Sequence, residues 1–397
     1  MGGGGPLLRV LARLTGPGAI ERRFGSTVRS TPAAAWLGVA LGVTFSVCFA
    51  TGLLSHMIQH PPGWFTWPPR PAGAYRVTQG VHVAAGIACI PLLLAKLWTV
   101  YPAFWRWPVV DGVARAVERI TLVPLVAGSL FLLVSGVNNI ALWYPWQFFF
   151  PTAHYWAAWI TLGALIAHIG AKFHTTRDAL RPGRHRDPAE PGPVDAAPGT
   201  LSRRGFLGAA ASSSAALTIV TVGQTFAPLE RVAVLAPRRP SIGPQGFPVN
   251  KSAAEAQVTE AAVDPAWRLV VDGTVTTPLE LSLTDLQRLP QRHATLPIAC
   301  VEGWSASVRW AGVPLRDLLE LAGAAAGSPV TAESLQPRGL FRRSAINHRH
   351  AGDADTLVAL ECNGEPLAVD HGFPARLIGP NRPGVQQTKW LSRLVVG

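Results

Sequence analysis

Ser202-Arg203-Arg204-Gly205-Phe206-Leu207 divides this chain into two halves that must fold in different solvents. Serine, two arginines and a phenylalanine-leucine step, followed by an apolar run, form a twin-arginine export signature. Such signals normally open a protein, and here about half the chain comes first. The preceding half must therefore return the chain to the cytoplasm, where the arginine pair is read. The following half is expected to cross the membrane already folded. A domain that folds before export often carries a cofactor loaded beforehand. The alternative is plainer: the pair would be the ordinary basic flank of a membrane span.

Composition supports the division. Of 397 residues, 48% are hydrophobic and only 15% charged, low for a water-soluble protein. Residues 1–205 hold 18 Lys+Arg against 7 Asp+Glu, a net +11; residues 206–397 hold 17 against 16, a net +1. The overall charge of +12 therefore sits in the apolar half, which argues against nucleic acid as a partner and for membrane lipid. Four cysteines are too few for a disulfide framework, although Cys300 and Cys362 share the exported half and a bridge there is open. No CxxC is present, so neither zinc nor a c-type haem is indicated.

Four stretches ahead of the signal are long and apolar enough to span a bilayer: 33–55, 77–100, 120–141 and 153–173. Arg9, Arg13, Arg22, Arg23 and Arg29 precede the first. Arg106, Arg115 and Arg119 lie between the second and third, and Lys172, Arg177, Arg181, Arg184 and Arg186 follow the fourth. The loop after the first span has only Arg70 and Arg76, and 143–152 has neither Lys nor Arg. Both ends of the four-span unit are thus expected in the cytoplasm. Trp64, Trp67, Trp143 and Trp146 suit an outer aromatic belt, and Trp98, Trp105 and Trp107 an inner one.

Histidines punctuate these spans, where ionisable groups are costly and usually functional. His56 and His60 end the first span, and His82 lies just inside the second. His154 opens the fourth, with His168 deeper and His174 at its end. His154 and His168 are 14 residues apart. On a helix that places them on nearly one face, roughly 21 Å apart. The alternative is histidines hydrogen-bonded between helices.

With four spans and a His-x13-His pair in the fourth, 30–176 resembles the b-type cytochrome subunits of formate dehydrogenases and nickel-iron hydrogenases. The resemblance implies haem b and exchange of electrons with quinone. It assigns an outer haem to His82 with His154, and His168 to an inner one. The sequence departs from the family at the inner site. The first span has no histidine near its inner end, and the residue 14 after His82 is Lys96. One haem is expected, a second is open, and His56 is the spare candidate ligand or a quinone neighbour.

Residues 178–200 are rich in Pro, Gly and charge and read as a cytoplasmic linker. Residues 205–226 suit a signal core retained as a fifth span; cleavage is the alternative, but no clean site follows. Beyond about 241 the pattern changes. Residues 267–273 read as a strand entering a turn, 281–289 as a short helix, 296–299 as a strand and 314–321 as an amphipathic helix. Residues 357–360 and 391–396 read as strands, giving an α+β, mostly β domain.

The chemical feature of this domain is Ala299-Cys300-Val301-Glu302-Gly303-Trp304-Ser305, a cysteine leaving a strand. Trp310-Ala311-Gly312-Val313-Pro314-Leu315 follows, then His371-Gly372-Phe373-Pro374-Ala375-Arg376, Pro380, Gly384 and Lys389-Trp390. Together these resemble the sulfite-oxidase-like molybdopterin family, which includes periplasmic methionine-sulfoxide reductase subunits, over about 245–397. The resemblance makes Cys300 a thiolate ligand of molybdenum, against the plain alternative of a buried core cysteine. It makes Asn250, His371, Arg376, Gln387, Thr388 and Lys389 cofactor contacts; the reductases have asparagine where His371 stands. Arg309, Arg342 and Arg343 are candidates for an anion-binding mouth or ordinary surface arginines. Cys362 reads as structural, and His348 and His350 carry no clear signal.

The expected layout is a cytoplasmic segment 1–30, a four-helix transmembrane b-type cytochrome 31–176, a linker 177–201, a signal and anchor helix 202–228 and a molybdopterin domain 241–397. The expected function is a membrane-anchored molybdopterin oxidoreductase. It would exchange electrons with the quinone pool through haem and act on a small oxo-anion or sulfoxide outside the cytoplasmic membrane, after export by the twin-arginine machinery. The competing class is a haem-bearing anchor with a cofactor-free binding domain.

Overall fold

The computed structural model describes residues 28–104, 112–181, 201–223 and 227–397. Arg9, Arg13, Arg22, Arg23, Trp105, Arg106, Trp107, Arg184, Arg186 and most of the expected linker lie outside them. The described chain divides into two compact units. One takes residues up to Phe49 together with Ala84–Ile219, and the other Ala50–Val83 together with Val220–Gly397.

Among the described residues, five helices are long and apolar enough to cross a membrane. They are α1 (Thr31–Gln59), α2 (Ala74–Phe104), α3 (Val113–Ile140), α4 (Phe150–Leu180) and α5 (Arg203–Val222). At about 1.5 Å per residue even α5, with 20 residues, reaches about 30 Å, the thickness of a hydrocarbon core. Large apolar side chains such as Val43, Ile120, Val123, Trp156, Ile160 and Ile166 lie exposed on them, as a lipid-facing surface requires.

Within the first unit, small residues and buried polar groups join the helices. A Cβ at Gly128 would overlap the Thr161 hydroxyl, so glycine lets α3 and α4 close. Lys96 Nζ donates to Ala34 O at 2.6 Å, tying α2 to α1. Ser214 Oγ donates to Ala88 O at 2.6 Å, tying α5 to α2, and Leu37, Leu92 and Ala210 pack together beside it. The stretch Ser202–Leu207 starts α5: Ser202 Oγ accepts from Gly205 N at 3.1 Å, satisfying one free donor of the first turn.

The second unit is built on two sheets. The first runs β2 (Leu279–Leu281), β1 (Leu269–Gly273), β10 (Leu391–Val396), β5 (Val330–Ser334), β6 (Arg343–Ile346), with β1 and β10 parallel. The second runs β3 (Arg292–Ala299), β4 (Ser305–Pro314), β7 (Leu357–Cys362), β8 (Glu365–Pro366), with β9 (Arg376–Ile378) also paired to β7. Short helices α6 (Thr259–Val263), α7 (Leu283–Arg288), α8 (Leu315–Leu321) and α9 (His348–Ala351) complete it. Alternation buries Leu269 and Val271 of β1, Val330 and Ala332 of β5 and Leu394 and Val396 of β10 against Leu286, Leu315 and Leu318. Ser282 and Asp285 form a reciprocal capping box at α7.

The strands and helices expected in this half are present, with Trp267 and Arg268 just ahead of β1. β2, β4, β5, β6, β8 and β9 come in addition. In β4 the stretch around Gly312 is a strand because a glycine there lets the chain pass β7; any Cβ would overlap Val358 O. The open Cys300–Cys362 bridge is not formed: both thiols are free, and Cys362 Sγ donates to Gln245 Oε1 at 3.0 Å.

The end of α1, the start of α2 and their loop belong to this same unit, which charge patterning gave no sign of. Asn381 is the hub, at φ 56°. Its Oδ1 accepts from Tyr75 N at 2.6 Å, its Nδ2 donates to Pro68 O at 2.7 Å, and its carbonyl accepts from Trp67 Nε1 at 2.9 Å. Trp67, expected in an aromatic belt, is thus a docking residue, and its own carbonyl accepts from Asn347 Nδ2 at 3.1 Å. Arg70 pairs with Asp353 and Asp355, and Arg292 reaches Asp355 at 2.8 Å. Asn381→Ala loses two buried hydrogen bonds and a residue type that tolerates positive φ, an expected cost of about 2–3 kcal/mol. Limited proteolysis checks this: cleavage between 60 and 73 should rise steeply, whereas an unchanged rate would show the loop to be held elsewhere.

Candidate active site

β3 and β4 pair in strict antiparallel register from Arg292↔Gly312 to Ala299↔Ser305, so the residues between them form a tight turn. Cys300 N donates to Trp304 O at 2.9 Å and Gly303 N to Cys300 O at 3.1 Å. Gly303 sits at φ +89°, where a side chain is strained. This fixes Cys300 at the strand end with 5% of its surface exposed.

Asn250 lies across the thiol. Its Nδ2 donates to Cys300 Sγ at 2.7 Å and its Oδ1 accepts from Trp304 Nε1 at 3.1 Å. Trp304 Nε1 also reaches Glu302 Oε2 at 3.2 Å. Burial pushes the Cys300 thiol well above its ordinary range, and the nearby Glu302 adds to the rise. Burial raises Glu302 as well. Without a cation this is a protonated thiol beside a carboxyl; a soft metal would hold it as thiolate. Glu302 was not singled out in the sequence, although its place two residues after the cysteine was visible.

Three cations lie on the segment 376–389, and Arg376 is near enough to act on Cys300. Pro383 forms a bridge with Ala299, which brings 380–389 alongside the end of β3. Arg376, 5% exposed, donates from Nη1 to His371 O at 3.0 Å, and its guanidinium lies 5.4 Å over the Trp310 ring. Arg382, 4% exposed, donates from Nη2 to Ala345 O at 3.0 Å and Gln386 O at 3.1 Å. Lys389 Nζ donates to Lys251 O, and to Asp370 O at 2.9 Å. Every one of these bonds goes to a backbone carbonyl, and among the described residues no carboxylate pairs with the three. Burial pushes Arg376 and Arg382 down to about 10 and Lys389 to about 7. Arg376 Nε, Arg382 Nε, Gln387 Oε1 and Ser305 Oγ are buried without a partner. Unpaired buried charge and orphaned polar atoms are expensive unless an anionic, hydrogen-bonding ligand completes them, which is what a pterin phosphate is.

The remaining expected residues divide. Thr388 is buried, its hydroxyl 2.7 Å from Ser344 Oγ. His371 stacks on Phe247 at 3.7 Å with Nε2 donating to Pro244 O at 2.7 Å, and burial pushes it down to about 4, so it is a neutral packed ring. Arg343 pairs with Glu333 at 2.8 Å on the other sheet, and Arg309 Nη2 reaches Asn363 O at 3.5 Å; Arg342 ends a 3-10 turn, 340–342. Buried Arg382 was missed, because only three-dimensional burial sets it apart from a surface arginine.

Of the haem candidates, His82 packs over Gly52, where a Cβ would come within 2.7 Å of its ring. His154 Nδ1 lies 3.1 Å from Ser135 Oγ, and its ring 5.0 Å from Phe150. His168 Nδ1 is buried without a hydrogen-bond partner, and His56 and His60 lie 4.9 Å apart. His56, His60 and His82 belong to the second unit, and His154 and His168 to the first.

Residues 255–397 match the family model of the oxidoreductase molybdopterin binding domain. This part of the chain is a molybdopterin-binding domain of the sulfite-oxidase-like kind. The chain is 33% identical over 144 residues to mitochondrial sulfite oxidase of Mus musculus, covering 30% of this chain and 26% of that protein. It is 32% identical over 151 residues to the "Putative protein-methionine-sulfoxide reductase subunit YedZ1" of Azospira oryzae, covering 38% and 56%. It is 32% identical over 161 residues to an inducible NADH nitrate reductase of Glycine max, covering 33% and 18%. The chain thus spans between about a fifth and just over half of these relatives. The matched stretch begins after Asn250, so the structure rather than the family match ties Asn250 to the thiol of the molybdopterin-binding domain.

Lys389 gives that domain a pH signature. Its folded pKa of about 7 lies below the ordinary 10.5, so between these values the unfolded chain binds more protons. Cofactor-free protein is therefore expected to gain stability as pH rises from about 7 to 10.5, with the burial cost fully present below 7. Urea unfolding across that range, followed by tryptophan fluorescence, checks it. Lys389→Met should flatten the slope; an equal slope would assign it to another group.

Proposed function

We propose that this protein is a membrane-anchored molybdopterin oxidoreductase that exchanges electrons with the quinone pool through b-type haem. Its substrate would be a small oxo-anion or sulfoxide on the far side of the cytoplasmic membrane. The observation that carries the reading is buried Cys300 beside buried Arg376, which has no carboxylate partner, with buried Arg382 and half-buried Lys389 on the neighbouring segment bonded to backbone carbonyls alone. Cys300 would hold molybdenum as thiolate, with the Asn250 amide donating to its sulfur. Arg376, Lys389, Gln387 and Thr388 would hold the pterin and its phosphate, with Arg382 beside them, while His371 shapes the pocket through Phe247. Bound there, the cofactor supplies two-electron oxygen-atom chemistry; the protein supplies position, charge and exclusion of water.

For the haem, His154 is the first candidate the resemblance offers, and Ser135 Oγ 3.1 Å from its Nδ1 would help to orient the ring. His82 is its proposed partner, and His168 and His56 are the candidates for a second site. Arginine distribution supports placing the molybdopterin-binding domain outside, reached through the twin-arginine route with α5 retained as tether. Relatives named for sulfite oxidation and for methionine-sulfoxide reduction support oxygen-atom transfer at sulfur, with the direction left to the turnover assay.

The test is molybdenum and haem content of purified full-length protein, with turnover measured on sulfite and on methionine sulfoxide. About one molybdenum per chain and a low-spin b-type spectrum are expected, and His154→Ala should remove that spectrum while molybdenum stays, because the two cofactors are held by separate ligand sets. Protein without molybdenum would favour the cofactor-free binding module.

A further inference from the structure

The turn that carries Cys300 rests on one face of α2. Gln79 Nε2 donates to Val301 O at 2.9 Å. One helical turn on, Val83 occupies the space a side chain at Gly303 would need, its methyl carbons 3.0 and 3.1 Å from a Cβ built there. Residues four apart on a helix share a face, so Gln79 and Val83 together form a seat for 301–303.

The Gln79 amide is locked in one orientation. Its Oε1 accepts from Ser55 Oγ at 3.1 Å. That hydroxyl also lies 3.1 Å from Tyr75 Oη and accepts from Gln59 Nε2 at 3.1 Å. With the oxygen occupied, the amide nitrogen faces Val301. Ser55 and Gln79 are buried, 6% and 5% exposed, and Tyr75 is buried beside them. Buried polar groups in apolar helices are costly unless satisfied. Here the network reaches across to the Val301 carbonyl, one residue from the thiol. Together with the Cys300–Trp304 and Gly303–Cys300 bonds, it leaves the turn no loose peptide at its Cys300 end.

We propose that Gln79 is a positioning residue for Cys300: its amide holds the turn so that the sulfur keeps one direction toward the metal. The proposal rests on Cys300 being the molybdenum ligand. It makes α2 part of the active-site scaffold, three residues before His82.

The experiment uses the full chain in detergent, from cells that make the molybdenum cofactor and from cells that do not. Gln79→Glu keeps the shape but, ionised, has no N–H to donate. Gln79→His keeps a donor, and Ser55→Ala frees the amide to turn over. In cofactor-free protein a small maleimide is added and labelling is read at the Cys300 peptide by mass spectrometry. Labelling of a buried thiol follows local opening, so Gln79→Glu should raise the rate about fivefold, the factor expected for one lost hydrogen bond. Ser55→Ala should move it the same way, and Gln79→His should stay near wild type. In loaded protein, Gln79→Glu should shift the Mo(V) electron paramagnetic resonance signal with molybdenum content unchanged. Unchanged labelling and spectrum in Gln79→Glu, or Gln79→His as labile as Gln79→Glu, would overturn the proposal. Should Gln79→Glu fail to fold, Ser55→Ala with wild-type labelling overturns it alone. Wild-type protein without molybdenum would sink the metal reading only, and the labelling arm would still decide whether Gln79 holds the turn.

Discussion

Cys300→Ser is expected to lower turnover by about 10³-fold or more, the scale on which one member of a catalytic constellation acts. Serine fits the same space, so the β3–β4 turn should persist: its bonds are backbone bonds, Cys300 N to Trp304 O and Gly303 N to Cys300 O. The loss should therefore be chemical rather than structural. A hydroxyl is a hard and weakly acidic donor, and Asn250 Nδ2, 2.7 Å from the sulfur, would face it without a thiolate to stabilise. The check is turnover beside molybdenum content and thermal unfolding of the same preparation. Pterin can remain bound through Arg376 and Lys389, so retained cofactor with lost turnover is the expected pattern. Activity within tenfold of wild type would remove Cys300 from the chemistry.

Arg376→Met should act in opposite directions on the empty and the loaded protein. Arg376 is buried with Nε unpartnered and no carboxylate beside it. Replacing such a charge by an apolar side chain of similar length is expected to stabilise cofactor-free protein by about 1–4 kcal/mol, less what is lost at Trp310. The same change removes a buried partner for phosphate and should weaken cofactor retention by about 10²-fold or more. Unfolding of cofactor-free protein and retention of molybdenum through gel filtration measure the two arms. A variant destabilised in both states would show that the guanidinium is structural, held by His371 O and the Trp310 ring.

The five long helices were legible because apolar length is a one-dimensional signal. So were β1, β7 and β10, whose buried residues recur along the chain. β4 was not expected: Gly312 interrupts its apolar pattern and Pro314 was placed at the start of the helix that follows, yet the glycine is what lets β4 pass β7 closely. β6 is four residues long and β8 two, too short for periodicity to register. At the site, the cysteine motif and Arg376 were readable, and Asn250 emerged from the resemblance before the structure placed it on the thiol. Arg382 and Glu302 were not singled out, because burial decides their character and burial is a property of the folded domain. Gln79 did leave a trace: an uncharged amide inside an apolar stretch needs a partner, though nothing in the chain said that the partner lay more than two hundred residues away.

The Asn381 hub sets an order of assembly. Its contacts with Trp67, Pro68 and Tyr75 join positions separated by 306 to 314 residues. Contacts so distant along the chain form late, after the segments between them have settled. The loop 60–73 therefore stays undocked in every chain whose last strands are incomplete, and closes only on a finished domain. Resistance to protease there would report completion: nascent or truncated chains should be cut in this loop, and finished ones should not.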